Sequence, residues 1–150
     1  MSELKTAGIF GIASLLIDQA TKWIVIRQIP LHQSLSVIDD VVRLTHVRNP
    51  LAAWGLPIRG TPSLVIPPIA IVVVIVIYKY RAKTPIERVA LAIVVGGAAG
   101  NFVDRVRWRY VIDFIDVGVG NLRWPVFNLA DAFITLGMIL IFYAALKRRG

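Results

Sequence analysis

The chain has 150 residues, 57% of them hydrophobic, with 17 lysines and arginines against 9 acids for a net charge of +8; its mean hydropathy is +0.70. Such apolarity excludes an ordinary soluble surface, and the absence of cysteine excludes a disulfide framework, a thiol nucleophile and a thiolate metal site. The basic residues flank apolar runs and form no single stripe, so anionic lipid headgroups account for them better than nucleic acid does.

A bilayer core about 30 Å thick asks for roughly 20 mostly apolar residues per helix. Four segments come close: Thr6–Ile26, Pro62–Tyr78, Ile86–Val103 and Phe127–Leu146. The first opens after Lys5 like a signal peptide, but its apolar pattern resumes beyond Asp18 and Lys22 as "WIVI". No small-residue cleavage site precedes that point, so a retained helix is expected. The second contains the uncharged run "IAIVVVIVIY", with Pro67 and Pro68 expected to kink or delay its helix.

Four spans place both termini on one side together with the loop "KYRAKTPIER". Lys79, Arg81, Lys83 and Arg88 crowd that loop, and Lys147, Arg148 and Arg149 close the chain. The positive-inside rule makes this side cytoplasmic. The segments on the other side, Arg27–Thr61 and Arg107–Trp124, carry strand-like runs, "SVIDDVVRLTHV" and "WRYVIDFIDV". The expected architecture is therefore membrane α-helical, with four transmembrane helices and a small strand-rich cradle at the outer surface. Residues 1–150 suit a single domain.

Polar residues inside apolar spans demand an explanation, because charge in hydrocarbon is costly and normally faces a bundle interior. In "DQATK", Asp18 and Lys22 stand four apart on one helix face, within pairing reach. An ion pair that lets the helix insert is the simpler reading; participation in chemistry is the other. In "GGAAGNFVDR", Gly96 and Gly100 form a small-residue face suited to close helix packing. Asn101, Asp104 and Arg105 follow on one face, where Asp104 beside a guanidinium reads as a structural brace.

Beyond the third span, "YVIDFID" puts Asp113 on one strand face with Val111 and Ile115, and Asp116 on the other. A solvated loop is the plain alternative for either acid. Asn128 can cap the fourth helix, with Asp131 in the place of a capping-box acid. Capping does not explain why Asp131 shares a face with Thr135. By the topology above, Asp113 and Asp131 lie at the same end of the bundle. Two carboxyls brought close cannot both ionise, so one stays protonated while the other serves as a base. His32 and His46 are the remaining good metal ligands and show no ligand spacing; no metal and no cofactor is expected.

In order, "DQATK", "RNPLAAWG", "GGAAGNFVDR", "VIDF" and "FNLAD" resemble the lipoprotein signal peptidases, also called signal peptidase II. The resemblance covers nearly the whole chain. It implies a four-helix aspartyl protease of the bacterial inner membrane, its cradle and active site toward the periplasm. Its substrates would be lipid-modified prolipoproteins, cut just before a cysteine carrying a diacylglyceryl group, with membrane lipids as surroundings, no nucleic acid, and a monomeric enzyme. It further implies that Asp113 and Asp131 are catalytic, that Asn49, Asn101 and Arg105 line the substrate site, and that Asp18, Lys22, Asp104 and Asn128 support the core. Pro50 and Leu51 stand where the family usually has threonine and glycine, which removes a backbone donor and disfavours positive φ in that loop.

Two other classes compete. A small proton-coupled transporter or channel component would relay protons through Asp18, Asp104 and Asp131, but a relay needs stations along the membrane depth. A structural subunit without chemistry would leave the five motifs unexplained.

Overall fold

The computed structural model describes residues 3–50, 69–70, 72–74, 76–77, 82 and 84–147. Helix α1 spans Glu3–Gln28, followed by strands β1 (Ser34–Ile38) and β2 (Val42–Asn49). Helix α2 spans Pro85–Trp108, β3 Val111–Val119, β4 Leu122–Arg123 and α3 Leu129–Lys147. Among the described residues, these three helices are long and apolar enough to cross a membrane. In the region of the expected second span, the described residues between 69 and 77 are helical. The kink assigned to Pro67 and Pro68 falls outside the described residues.

Helix α2 begins where its sequence says it should. Thr84 caps it, Pro85 takes the first turn, and Glu87 returns the cap by accepting from the Thr84 backbone N–H at 3.0 Å. It runs past Val103, the expected end, to Trp108, because Asp104 and Arg105 find partners inside the protein. Half of its apolar window is buried, against 22% for α1 and for α3. So among the three described helices α2 lies between the other two, which touch each other little. Small residues permit this closeness: a methyl on Gly96 would collide with the Gly11 carbonyl, and one on Gly100 with the Asp18 carboxylate. The small-residue face therefore packs helices, and at Gly100 it also makes room for a charge.

The four strands form one antiparallel sheet in the order β1-β2-β3-β4. Among the described residues, both segments expected to be strand-rich thus contain strands. In the β2–β3 register Asn49 faces Val111 and Val47 faces Asp113, with a bulge between Leu44 and Val47. An apolar cluster of Val25, Ile29, Ile112 and Phe114 fastens the sheet to the end of α1, each such side chain contributing about 1.5–3 kcal/mol. His46 adds a polar tie, its Nδ1–H donating to the Ile29 carbonyl at 2.8 Å just past the end of α1. The sheet is thereby held over the helix ends where the acids of the spans converge.

Candidate active site

The acids of the first and third motifs meet around one ammonium group. Lys22 Nζ lies 2.9 Å from Asp18 Oδ2 and 2.9 Å from Asp104 Oδ2, and donates to Asn101 Oδ1 at 2.9 Å. All three of its donors are used, and the residue is 2% exposed. The expected Asp18–Lys22 pair is therefore present but belongs to a larger cluster. Lys22 supplies the brace that the sequence suggested Arg105 would give Asp104; Arg105 instead donates to the Asn101 carbonyl at 3.2 Å. Asp18 also accepts from the Ala130 backbone N–H at 2.9 Å, clasping the first turn of α3. Asp104 accepts from Ile112 N at 3.2 Å, fixing the start of β3.

From this cluster two asparagines lead to two further carboxylates. Asn101 must turn Oδ1 toward the ammonium, so its Nδ2 points the other way and donates to Asp131 Oδ1 at 2.9 Å. Asn128 Nδ2 donates to Asn101 Oδ1 at 3.0 Å and to Asp113 Oδ1 at 2.6 Å. Asn49, the last residue of β2, donates to Asp113 Oδ2 at 2.8 Å. A continuous run of amides thus connects Asp113 on the sheet to Asp131 on α3.

Asn128 and Asp131 also form the reciprocal cap expected of them. Asp131 N donates to Asn128 Oδ1 at 3.0 Å, and Asn128 N donates to Asp131 Oδ2 at 3.4 Å. The cap and the site are one structure: closing the helix end fixes the carboxylate. Asp113, Asp131, Asn49, Asn101 and Arg105 all line a single cavity of about 670 Å³. Pro50 lines it as well, whereas Leu51 lies outside the described residues.

Burial pushes the Asp113 carboxyl up to about 7, and the nearby Asp131 adds to the rise while hydrogen bonds from Asn49 and Asn128 oppose it. A carboxyl titrating there can hold or release a proton near neutrality. Arg105 lies within electrostatic reach of Asp131 and Asp113, placed to steady negative charge in the cavity.

The solvated reading of Asp113 and Asp116 does not hold; they are 2% and 6% exposed. They lie on opposite faces of β3, as expected, and Asp116 takes no part in the cavity. It pairs with Arg123 Nε at 2.6 Å and accepts from Thr45 Oγ1 at 2.9 Å, joining three strands. Sequence reasoning passed over Gln19, which donates to Asp104 Oδ1 at 2.9 Å and to the Gly100 carbonyl at 3.1 Å. Its signal was present, a polar amide within "DQATK" in an apolar helix. Trp124 and Phe127, which wall the cavity, gave no such signal, because exposed aromatics near a membrane surface are common.

The chain matches the family Signal peptidase (SPase) II over residues 10–147. It is 43% identical over 133 residues to the lipoprotein signal peptidase of Geobacillus kaustophilus (strain HTA426), covering 87% of this chain and 86% of the relative. It is 38% identical over 145 residues to the lipoprotein signal peptidase of Bacillus subtilis (strain 168), covering 94% of each. Among solved structures it is similar to a bacterial membrane enzyme determined by the in meso method at 2.3 Å resolution. That likeness has a TM-score of 0.88 and 32% identity, over 97% of this chain and 90% of the other.

Proposed function

Because this chain belongs to the lipoprotein signal peptidase (signal peptidase II) family, we propose that Asp113 and Asp131 are its catalytic dyad. The protein is an aspartic endopeptidase of the membrane that removes signal peptides from prolipoproteins. The observation that supports the dyad is the placement of both carboxylates on one cavity, joined through Asn128 and Asn101.

Asp113 begins protonated and Asp131 ionised. Asp131 takes a proton from a water in the cavity, and the resulting hydroxide attacks the scissile carbonyl. Asp113 gives its proton to the developing oxyanion, with Arg105 nearby to offset the charge. Collapse of the tetrahedral intermediate breaks the carbon–nitrogen bond: Asp113 takes back a proton from one hydroxyl as the carbonyl re-forms, and the proton gained by Asp131 passes to the leaving amine. The donors on Asp113 and Asp131 hold both carboxyls in place throughout, so Asn49 and Asn101 position the dyad as well as lining the substrate site. Lys22, Asp18, Asp104 and Asn128 form the scaffold behind it.

The bond cut is the one before a diacylglyceryl cysteine, the enzyme acts as a monomer, and the sheet and cavity face the periplasm with both termini in the cytoplasm of the bacterial cell. The relay reading fits less well: Lys22, Asp18, Asp104 and Asp131 are gathered into one cluster rather than spaced along the bundle. Incubating the purified protein with a diacylglyceryl-modified precursor and its unlipidated twin tests the proposal. Cleavage of the lipidated form alone is expected; equal cleavage of both would remove the lipid from the substrate definition.

A further inference from the structure

Exposed arginines gather at the end of the bundle that bears the catalytic cavity. Arg27 stands in the last turn of α1, Arg107 in the last turn of α2, Arg109 caps α2, and Arg48 is next to the end of β2. The two helices run parallel, Gly11 lying against Gly96, Asp18 against Gly100 and Lys22 against Asp104. Arg27, Arg107 and Arg109 follow the Lys22–Asp104 pair by three to five residues, so they share a depth about 5–8 Å beyond it. With 26 and 24 residues, α1 and α2 are about 39 and 36 Å long. Hydrocarbon about 30 Å thick leaves their last turns among the headgroups.

No carboxylate of the chain serves these four guanidiniums. All nine acids are among the described residues, and the ion pairs they make go to Lys22, Arg43, Arg88 and Arg123. Three of the four arginines lie over rings instead: Arg27 over Trp23 at 5.2 Å, Arg48 over Tyr110 at 5.0 Å and Arg107 over Trp108 at 4.7 Å. Such rings settle at headgroup depth and hold the guanidiniums there. A helix dipole attracts cations to its C-terminus, which accounts for Arg27 and Arg107 but not for Arg48 on a strand. Arg109 holds a left-handed φ of 67°, a position whose backbone suits glycine, and its side chain is exposed.

We infer that this set of arginines binds the headgroups of anionic phospholipids around the end of the bundle that carries the site. The planar guanidinium fork matches two oxygens of a phosphodiester, and the depth is that of the phosphates. A zwitterionic headgroup brings its own cation, so only headgroups of net negative charge neutralise four cations that have no acid of their own. The consequence reaches the site through the chain. Arg107 and Arg109 adjoin Val111, the start of the strand that carries Asp113, so headgroups held there brace the junction of α2 and β3.

The test places the unaltered full chain in phosphatidylcholine nanodiscs doped with phosphatidylglycerol that carries a photoreactive diazirine on its headgroup, and locates labelled residues by mass spectrometry. Labelling is expected within residues 23–28 and 107–110. It should exceed that from a phosphatidylcholine probe of the same design about fivefold, the preference that one basic residue near an anionic surface confers. The triple variant Arg27→Gln, Arg107→Gln, Arg109→Gln should lose this excess while keeping its thermal unfolding midpoint. Equal labelling of the unaltered chain by both probes would overturn the inference. So would an excess confined to the opposite end, at residues 79–83 and 147–149. A preference for precursors with acidic residues beyond the cleaved bond, lost in the triple variant, would also overturn it, because the guanidiniums would then serve a peptide. Labelling requires no cleavage, so each of these results leaves the proposed peptidase function standing.

Discussion

Replacing Asp131 with asparagine is expected to lower the rate of precursor cleavage on the order of 10⁴-fold while the protein stays folded. An amide cannot take a proton from water, and a dyad acts as a unit, so losing one member forfeits most of the acid–base contribution. Folding should survive because Asn101 Nδ2 can still donate to the remaining carbonyl oxygen, and the Asn128 backbone N–H, which gives up its acceptor, makes only a long bond of 3.4 Å in the unaltered protein. Asp113→Asn is expected to be equally inactive but less well folded. Both Asp113 oxygens accept from side-chain amides, at 2.8 and 2.6 Å, so an asparagine must turn its own NH₂ toward one of those donors. Such a mismatch costs about 1–3 kcal/mol. Turnover of the lipidated precursor, read beside a thermal unfolding midpoint, separates the two effects.

Lys22→Met is expected to be the most destabilising single change in the site. It leaves Asp18 and Asp104 buried beside each other without their shared cation, and removing one partner of a buried pair costs about 3–5 kcal/mol. Activity should fall further than stability alone explains, because Asn101 loses the ammonium that dictates which way its amide faces. Adding Asp18→Asn to Lys22→Met removes one stranded charge, and the double variant should recover part of the unfolding midpoint. Additive losses in the pair would show that the two residues do not act as a unit.

Much of this was legible in the sequence because lipid makes polar residues conspicuous. Asp18, Lys22, Asn101, Asp104 and Asp131 stood out in apolar spans where only a paired, inward-facing residue is tolerable. The capping role of Asn128 was equally plain, since a cap is written in local spacing. What spacing cannot give is contact between distant elements. Lys22 could be assigned to its neighbour four residues away, but its reach to Asp104 and Asn101 depends on how α1 crosses α2. The burial of Asp116 depended likewise on Arg123 and Thr45 from flanking strands. An alternating strand does not say which face the helices will cover. Gln19 escaped because an uncharged amide beside an aspartate draws less attention than a charge. The uncharged run "IAIVVVIVIY" carried the clearest span signal, and the described residues within it are helical.

The measurement that bears most directly on a shared proton is the pH dependence of kcat/KM for the lipidated precursor, which reports the free enzyme. The Asp113 carboxyl is raised to about 7 by burial, so the protonated form that the reaction needs is present below that value and lost above it. Activity should therefore decline as pH rises through about 7, roughly tenfold for each further unit. A kcat/KM that stays level or climbs from about pH 6 to pH 9 would rule the shared proton out, because no protonated carboxyl would then be required.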